Sequence, residues 1–179
     1  MAREPELLTV GHGRLDGAGL SALLQAAAIG LVVDIRRFPG SRRNPDVARE
    51  PLEARLAEDG IRYRWDARLG GRRSAPAGVP ADPWWQVPAF RAYAAHTRTP
   101  EFQHGLTDLL DDVADSRTVV MCSETVWWRC HRRIVADVVS LTTAVPVHHL
   151  MHDGREVEHP PPEGARIVGE HLLVWDGEP

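Results

Sequence analysis

Residues 7–35 read LLTVGHGRLDGAGLSALLQAAAIGLVVDI and carry a complete strand–helix–strand signal. Leu7-Leu8-Thr9-Val10 is a short apolar run, and Gly11-His12-Gly13-Arg14 breaks it. Residues 20–28, rich in Leu and Ala, predict a helix, with Gly30 at the left-handed position that closes it. Leu31-Val32-Val33-Asp34-Ile35 is β-branched and bounded by turn signals, as a buried strand should be. These pieces make one β-α-β unit, whose parallel crossover is right-handed. A parallel sheet needs helices on both faces.

The rest of the chain extends that unit. Pro45 opens a helix running to about Asp59, and Gly60 ends it. Residues 61–65 alternate with period two as a third strand. Residues 69–87 are rich in Gly, Pro and Ala, a loop long enough to be functional or mobile. A short helix is expected over residues 88–96. Thr99-Pro100-Glu101 then caps a helix that places Phe102, Leu106, Leu109, Leu110 and Val113 on one face. A strand over residues 118–121 leads to a helix over 126–141, and a strand over 145–152 turns at Asp153-Gly154 as a two-residue hairpin. Residues 172–175 suggest a final edge strand. The expectation is one α/β domain over residues 1–179, a three-layer fold with a mostly parallel sheet. Its core spans about 7–150, and a hairpin and acidic tail occupy 151–179.

Ligands of open α/β sheets bind beyond the carboxyl ends of strands. Three such ends carry chemistry: His12 to Arg14, Asp34 to Arg43, and Cys122 to Arg133. Cys122 ends a strand before a helix, where the helix dipole and nearby arginines favour a thiolate; it is either a nucleophile or a small buried residue. Position 128 is Trp and the next arginine is Arg129, one place later than the loop of phosphatases and rhodaneses requires. Glu124 is a general base or a helix cap. His131 shares an inward stripe with Trp127, Ile134, Val138 and Leu141, and is an acid–base partner or a core histidine.

Asp34, at the end of a buried strand, needs a partner, and Arg36 and Arg42 are the candidates. Arg36, Arg37, Ser41, Arg42 and Arg132 suit a phosphate, with His12 beside them. Trp84-Trp85 and Trp127-Trp128 either stack a base or pack in the core. His148 and His149 point to opposite faces of their strand, so they are not a simple metal pair. Cys130 and His131 are adjacent on the expected helix and diverge by about 100 degrees. No metal or cofactor is assigned.

All 21 basic residues are arginine, so every cation is a planar fork suited to phosphate or carboxylate. Residues 31–74 hold 11 Arg against 7 acids, whereas residues 151–179 hold 2 against 7. A net charge of -4 argues against broad DNA binding, while the arginine-rich part still admits an anion. No apolar run approaches the roughly 20 residues that span a bilayer, and no signal peptide is evident. The expected location is cytoplasmic, with no membrane partner and both cysteines reduced.

Thr9-Val10-Gly11-His12, Val33-Asp34-Ile35-Arg36-Arg37-Phe38-Pro39-Gly40-Ser41, Leu69-Gly70-Gly71-Arg72, the segment 93–102, and Met121-Cys122-Ser123-Glu124 through Cys130-His131-Arg132-Arg133 together resemble the prokaryotic family called domain of unknown function 488. The resemblance implies one α/β domain with a shared pocket. It implies no reaction. Where that family often carries serine after Gly-His, this chain has Gly13.

Two functions stay open, beside a metal-dependent protein drawing on Cys122, Glu124, Cys130, His131 and His12. One is an enzyme acting on a phosphate-bearing or nucleotide-like anion, with Cys122, Glu124 and His131 doing chemistry and His12, Asp34, Arg36, Arg37, Ser41, Arg42 and Arg132 binding substrate. The other is a nucleic-acid or nucleotide binding module without turnover. The oligomeric state is not encoded in any motif.

Overall fold

The 7–35 stretch folds as β1 (Leu7–Gly11), α1 (Gly17–Ala26) and β2 (Leu31–Asp34) in a computed structural model that describes residues 4–79 and 81–177. Asp16 caps α1 by accepting the Gly19 amide at 2.7 Å. The left-handed residue after the helix is Ala28 (φ 54°), not Gly30. The Ile29 amide closes on the Leu24 carbonyl and the Ala28 amide on Gln25, a Schellman closure that tolerates the left-handed alanine at a cost of about 1 kcal/mol. Gly30 and Leu31 instead donate their amides to the Arg117 carbonyl.

The main sheet also holds β3 (Arg62–Trp65), β4 (Thr118–Cys122), β5 (Val147–Leu150) and β6 (Glu156–Glu158), in the order β3-β2-β4-β1-β5-β6. Only β6 is antiparallel. β4 lies between β1 and β2, with Gly11 beside Cys122 and Asp34 beside Met121. The three chemistry-bearing strand ends are therefore neighbours pointing the same way.

Period-two alternation splits the apolar residues between two cores. Leu8, Val10, Val32, Val119 and Met121 pack against Leu20, Leu24, Leu52 and Leu56 of α1 and α2 (Arg49–Glu58). Leu7, Val33, Val120 and Cys122 pack against α3 (Pro88–His96), α4 (Pro100–Asp115) and α5 (Arg132–Thr142), through Tyr93, Phe102, Leu109, Ile134 and Val138 among others. Each such buried side chain contributes about 1.5–3 kcal/mol. The result is the three-layer, mostly parallel α/β fold that alternating strands and helices predict. Among the described residues no helix is long and apolar enough to cross a membrane.

Four local expectations are corrected. The helix expected from Pro45 starts as a 3-10 turn (Pro45–Val47), and α2 begins only at Arg49. The hairpin after β5 has a three-residue loop: the Met151 amide bonds to the Arg155 carbonyl, and Gly154 (φ 85°) donates back to Met151. Such a loop is a turn closed by a left-handed glycine. Residues 172–175 do give a final strand, but it lies in a second sheet and not in the main one, whose edges are taken by β3 and β6. There β8 (Leu172–Val174) pairs with β7 (Arg166–Val168) in a separate antiparallel ribbon, and Trp175 after it is fully buried with Trp85 in the α3–α5 core. The segment expected as an acidic tail is largely exposed among its described residues and is anchored to the core through Leu173 and Trp175.

The fourth correction bears most on function. The helix expected over 126–141 is broken: a 3-10 turn (Trp127–Arg129) precedes an extended Cys130 (φ −128°, ψ 152°), and α5 begins at Arg132. Trp127 therefore shares no stripe with His131, which is the residue before the first turn of α5.

Candidate functional site

The loop after β4 is held over the end of β1 by backbone. His12 donates its amide to the Cys122 carbonyl and Gly13 to the Ser123 carbonyl, both at 3.0 Å. This close approach needs Gly11, because a Cβ there would collide with the Glu124 carbonyl. Arg132, almost fully buried, reaches back from α5 and donates its Nη2 to the carbonyls of Glu124 (2.5 Å) and Thr125 (3.3 Å). It ties the loop to α5.

Beneath the end of β2, Asp34 is fully buried and wholly engaged. It accepts from the Arg36 guanidinium (Nε 2.9 Å, Nη2 2.6 Å), from the Arg36 amide and from the Tyr63 hydroxyl at 2.5 Å. Burial opposes the charge of Arg36, but the Asp34 carboxylate offsets it and raises the arginine's pKa. Burial first, then Asp34, pushes the Tyr63 hydroxyl far up, so it stays a proton donor. Arg36 Nη1 lies 3.4 Å from His12 Nε2. The other ring nitrogen of His12 faces the Gly13 carbonyl at 3.0 Å and must carry the proton. Burial and then Arg36 lower the His12 pKa, keeping the ring neutral.

The strand ends surround a cavity of about 490 Å³. His12, Arg36, Arg37, Ser41, Cys122, Glu124 and His131 line it, as do Arg72, Arg129, Ser123, Cys130, Phe38, Phe90 and Tyr93. Its volume suits a small ligand. Arg42 and Asp34 do not line it, and neither does Arg132. Arg42 is exposed, Asp34 lies beneath Arg36, and Arg132 is committed to the loop. Ser41 accepts the Asn44 amide at 3.0 Å, which shapes the rim loop.

The cavity's thiols are Cys122 and Cys130, with Sγ atoms 2.7 Å apart and no disulfide between them. His131 donates Nε2–H to the Ile35 carbonyl at 3.2 Å, since a carbonyl can only accept. Its Nδ1 is then an acceptor, 3.5 Å from Cys130 Sγ. Burial opposes ionisation of Cys130, but the Cys122 thiol and the neighbouring His131 outweigh it and hold its pKa well below the usual thiol range. Burial and the contact with Cys130 push Cys122 the other way.

Reading the sequence missed Cys130 as the more acidic thiol, because an unbroken helix would have pointed it elsewhere. It also missed Arg72, Arg129 and the aromatic lining. Gly70-Gly71-Arg72 at the start of an over-long loop was the available signal for Arg72, whose φ of 57° is left-handed. Tyr93 pins that loop by donating to the Leu69 carbonyl at 2.6 Å. None of Trp84, Trp85, Trp127 and Trp128 lines the cavity. Trp85 is buried beneath Arg133, and Trp127 stacks on His149 with centroids 4.1 Å apart. Among the described residues no group of three or more His, Cys, Asp and Glu is placed to hold a metal ion.

The family described as Domain of unknown function DUF488 matches residues 18–139, which includes Asp34 through Arg132 and leaves out β1 and His12. No curated protein and no solved structure matches the chain.

Proposed function

Because the chain belongs to the DUF488 family, whose name assigns no reaction, we propose its function from the strand-end cavity: an enzyme that binds a phosphate-bearing, nucleotide-like anion. One observation carries this reading. Arg37, Arg72 and Arg129 line the cavity, and none of them forms an ion pair with a carboxylate among the described residues. Guanidinium forks left without a carboxylate around a concave space suit a phosphate held by two or more of them.

In this reading Ser41 and Ser123 add hydroxyls, and Phe38 and Phe90 flank a flat group. Arg36 is already neutralised by Asp34, so it orients His12 rather than supplying net charge. Glu124 and His131 are the groups able to move protons at the ligand. The alternative of a nucleic-acid module that stacks bases on its tryptophan pairs has less support, because those pairs lie outside the cavity.

Titration with adenosine monophosphate, inorganic phosphate and adenosine tests the reading. Saturable binding of the two phosphates that weakens as salt is raised, and that Arg72→Ala reduces about tenfold (about 1.4 kcal/mol), is the expected result. Absence of phosphate binding at low salt overturns it. Tight binding of single-stranded oligonucleotides that the cavity variants leave unchanged favours the binding-module alternative.

A further inference from the structure

We propose that Cys122 and Cys130 form a redox-active dithiol at the floor of the cavity, which exchanges electrons with an anionic low-molecular-weight disulfide. The dithiol rests on the cavity geometry alone. Only the preference for an anionic substrate rests on the anion-binding reading above.

Several independent features converge on the pair. The two sulfurs are in direct contact at 2.7 Å, and both line the cavity. Their proximity is made by the backbone, not by sequence spacing on one element. Cys122 ends a strand, while Cys130 is the single extended residue between a 3-10 turn and α5. A continuous helix from residue 126 would satisfy more backbone hydrogen bonds, yet the chain breaks there and returns the second thiol to the first. His131 follows at once, and its hydrogen bond to the Ile35 carbonyl leaves Nδ1 free to take the Cys130 proton. A lowered pKa in Cys130 beside a raised one in Cys122 is the asymmetry expected of an attacking and a resolving thiol. Both residues are nearly buried, so a substrate would reach the attacking sulfur through the cavity that Arg72 and Arg129 also line.

The chemistry balances as two exchanges. The Cys130 thiolate attacks one sulfur of a disulfide R–S–S–R. The S–S bond breaks, a mixed disulfide forms on Cys130, and one RS⁻ leaves and takes the proton held on His131. Cys122 then gives up its proton and attacks the Cys130 sulfur. The second RS⁻ leaves with that proton as RSH. The protein loses two electrons and two protons, and the substrate becomes two thiols. Excess thiol runs the same steps backward.

The test uses the full reduced chain with oxidised glutathione, which carries carboxylates, and with bis(2-hydroxyethyl) disulfide, which carries no charge. The folded protein is expected to lose two hydrogens by intact mass and both thiols to alkylation after denaturation. Cys122→Ser should trap glutathione on Cys130, and Cys130→Ser should react at least tenfold more slowly. The Arg72→Ala, Arg129→Ala double variant should slow oxidation by glutathione disulfide about tenfold more than oxidation by the uncharged disulfide. Wild-type protein that keeps both thiols under excess of either disulfide, while the denatured chain reacts, overturns the dithiol. Equal trapping by both single cysteine variants overturns the assignment of Cys130 as attacker. Equal rates with charged and uncharged disulfides, together with no phosphate binding, overturn the anion reading and leave the dithiol standing.

Discussion

Two polar clusters sit on this sheet, and they differ in what their groups face. At the strand-end cavity, arginines without carboxylate partners among the described residues line open space, beside two nearly buried thiols. On the other side of β1, a chain of buried groups faces only itself. Thr9 Oγ1 meets His149 Nδ1 at 2.7 Å, His149 Nε2 meets His159 Nδ1 at 2.9 Å, and His159 Nε2 meets Asp137 Oδ1 at 2.7 Å. Asp137 also accepts from the Trp175 indole at 3.1 Å. Asp137 can only accept, so His159 donates to it through Nε2–H, and burial disfavours a charge on the His149 ring. Every member has a partner, and Trp127 covers the His149 ring. The histidine-rich stretch is therefore a fastening between β1, β5, α5 and the C-terminal segment. Histidines in a row are no guide to chemistry; unpaired groups around a cavity are the better one.

The contrast can be broken most severely at its two carboxylates. Asp34→Ala leaves the Arg36 guanidinium buried without a partner, and should lower stability by about 3–5 kcal/mol in denaturant unfolding. It should also change phosphate binding, since it strips a cavity-lining guanidinium of its neutralising carboxylate. Asp137→Ala removes one acceptor shared by His159 and Trp175, and should lower stability by about 3 kcal/mol. Anion binding by the folded fraction should stay as in the wild type. A change in binding equal to that of Asp34→Ala would mean that the two clusters act as one.

A smaller effect separates them by pH. Burial, and then the His159 ring, lower the His149 pKa from 6.5 to about 3. The unfolded chain takes the proton more readily, so the stability from this group is complete above pH 6.5 and is lost as pH falls toward 3. Each pH unit in that window removes up to about 1.4 kcal/mol. Urea midpoints measured between pH 7.5 and 5 should fall more steeply for the wild type than for His149→Gln, and equal slopes would contradict a buried neutral His149. His12 is lowered in the same sense and adds to the wild-type slope in both proteins.

The smallest change in stability is expected at the cavity rim. Arg129→Ala removes an exposed guanidinium with no carboxylate partner among the described residues, so its unfolding midpoint should stay within about 0.5 kcal/mol of wild type. Its phosphate affinity should nonetheless drop severalfold in a calorimetric titration. A destabilised Arg129→Ala would place this arginine with the fastening cluster instead.

Much of the frame was legible from periodicity. Apolar runs at residues 7–10, 31–35 and 118–121 mark β1, β2 and β4 to within a residue, and Thr99-Pro100-Glu101 marks the cap of α4. His12, Arg36, Arg37, Ser41, Cys122, Glu124 and His131 were all marked from strand ends and do share a cavity. Arg42 and Arg132 were marked by the same rule and lie outside it. The rule locates a loop at the rim but does not orient each side chain on it. The C-terminal segment was read from its charge, whereas its buried face rests on Leu173 and Trp175, too few residues to show a period.

What the sequence determined by itself was local. Side chains alternate every two residues in a strand, so apolar runs and turn residues suffice to mark strands and the chemistry at their ends. Only the tertiary structure decided which of those ends became neighbours, because β4 inserts between β1 and β2 and brings Cys122 between His12 and Asp34. It also decided that Cys130 leaves the helix to meet Cys122, and that His149 and His159 face inward to Asp137. Those outcomes depend on packing against residues distant in the sequence, and no pattern within a window of sequence encodes a contact whose other half lies outside it.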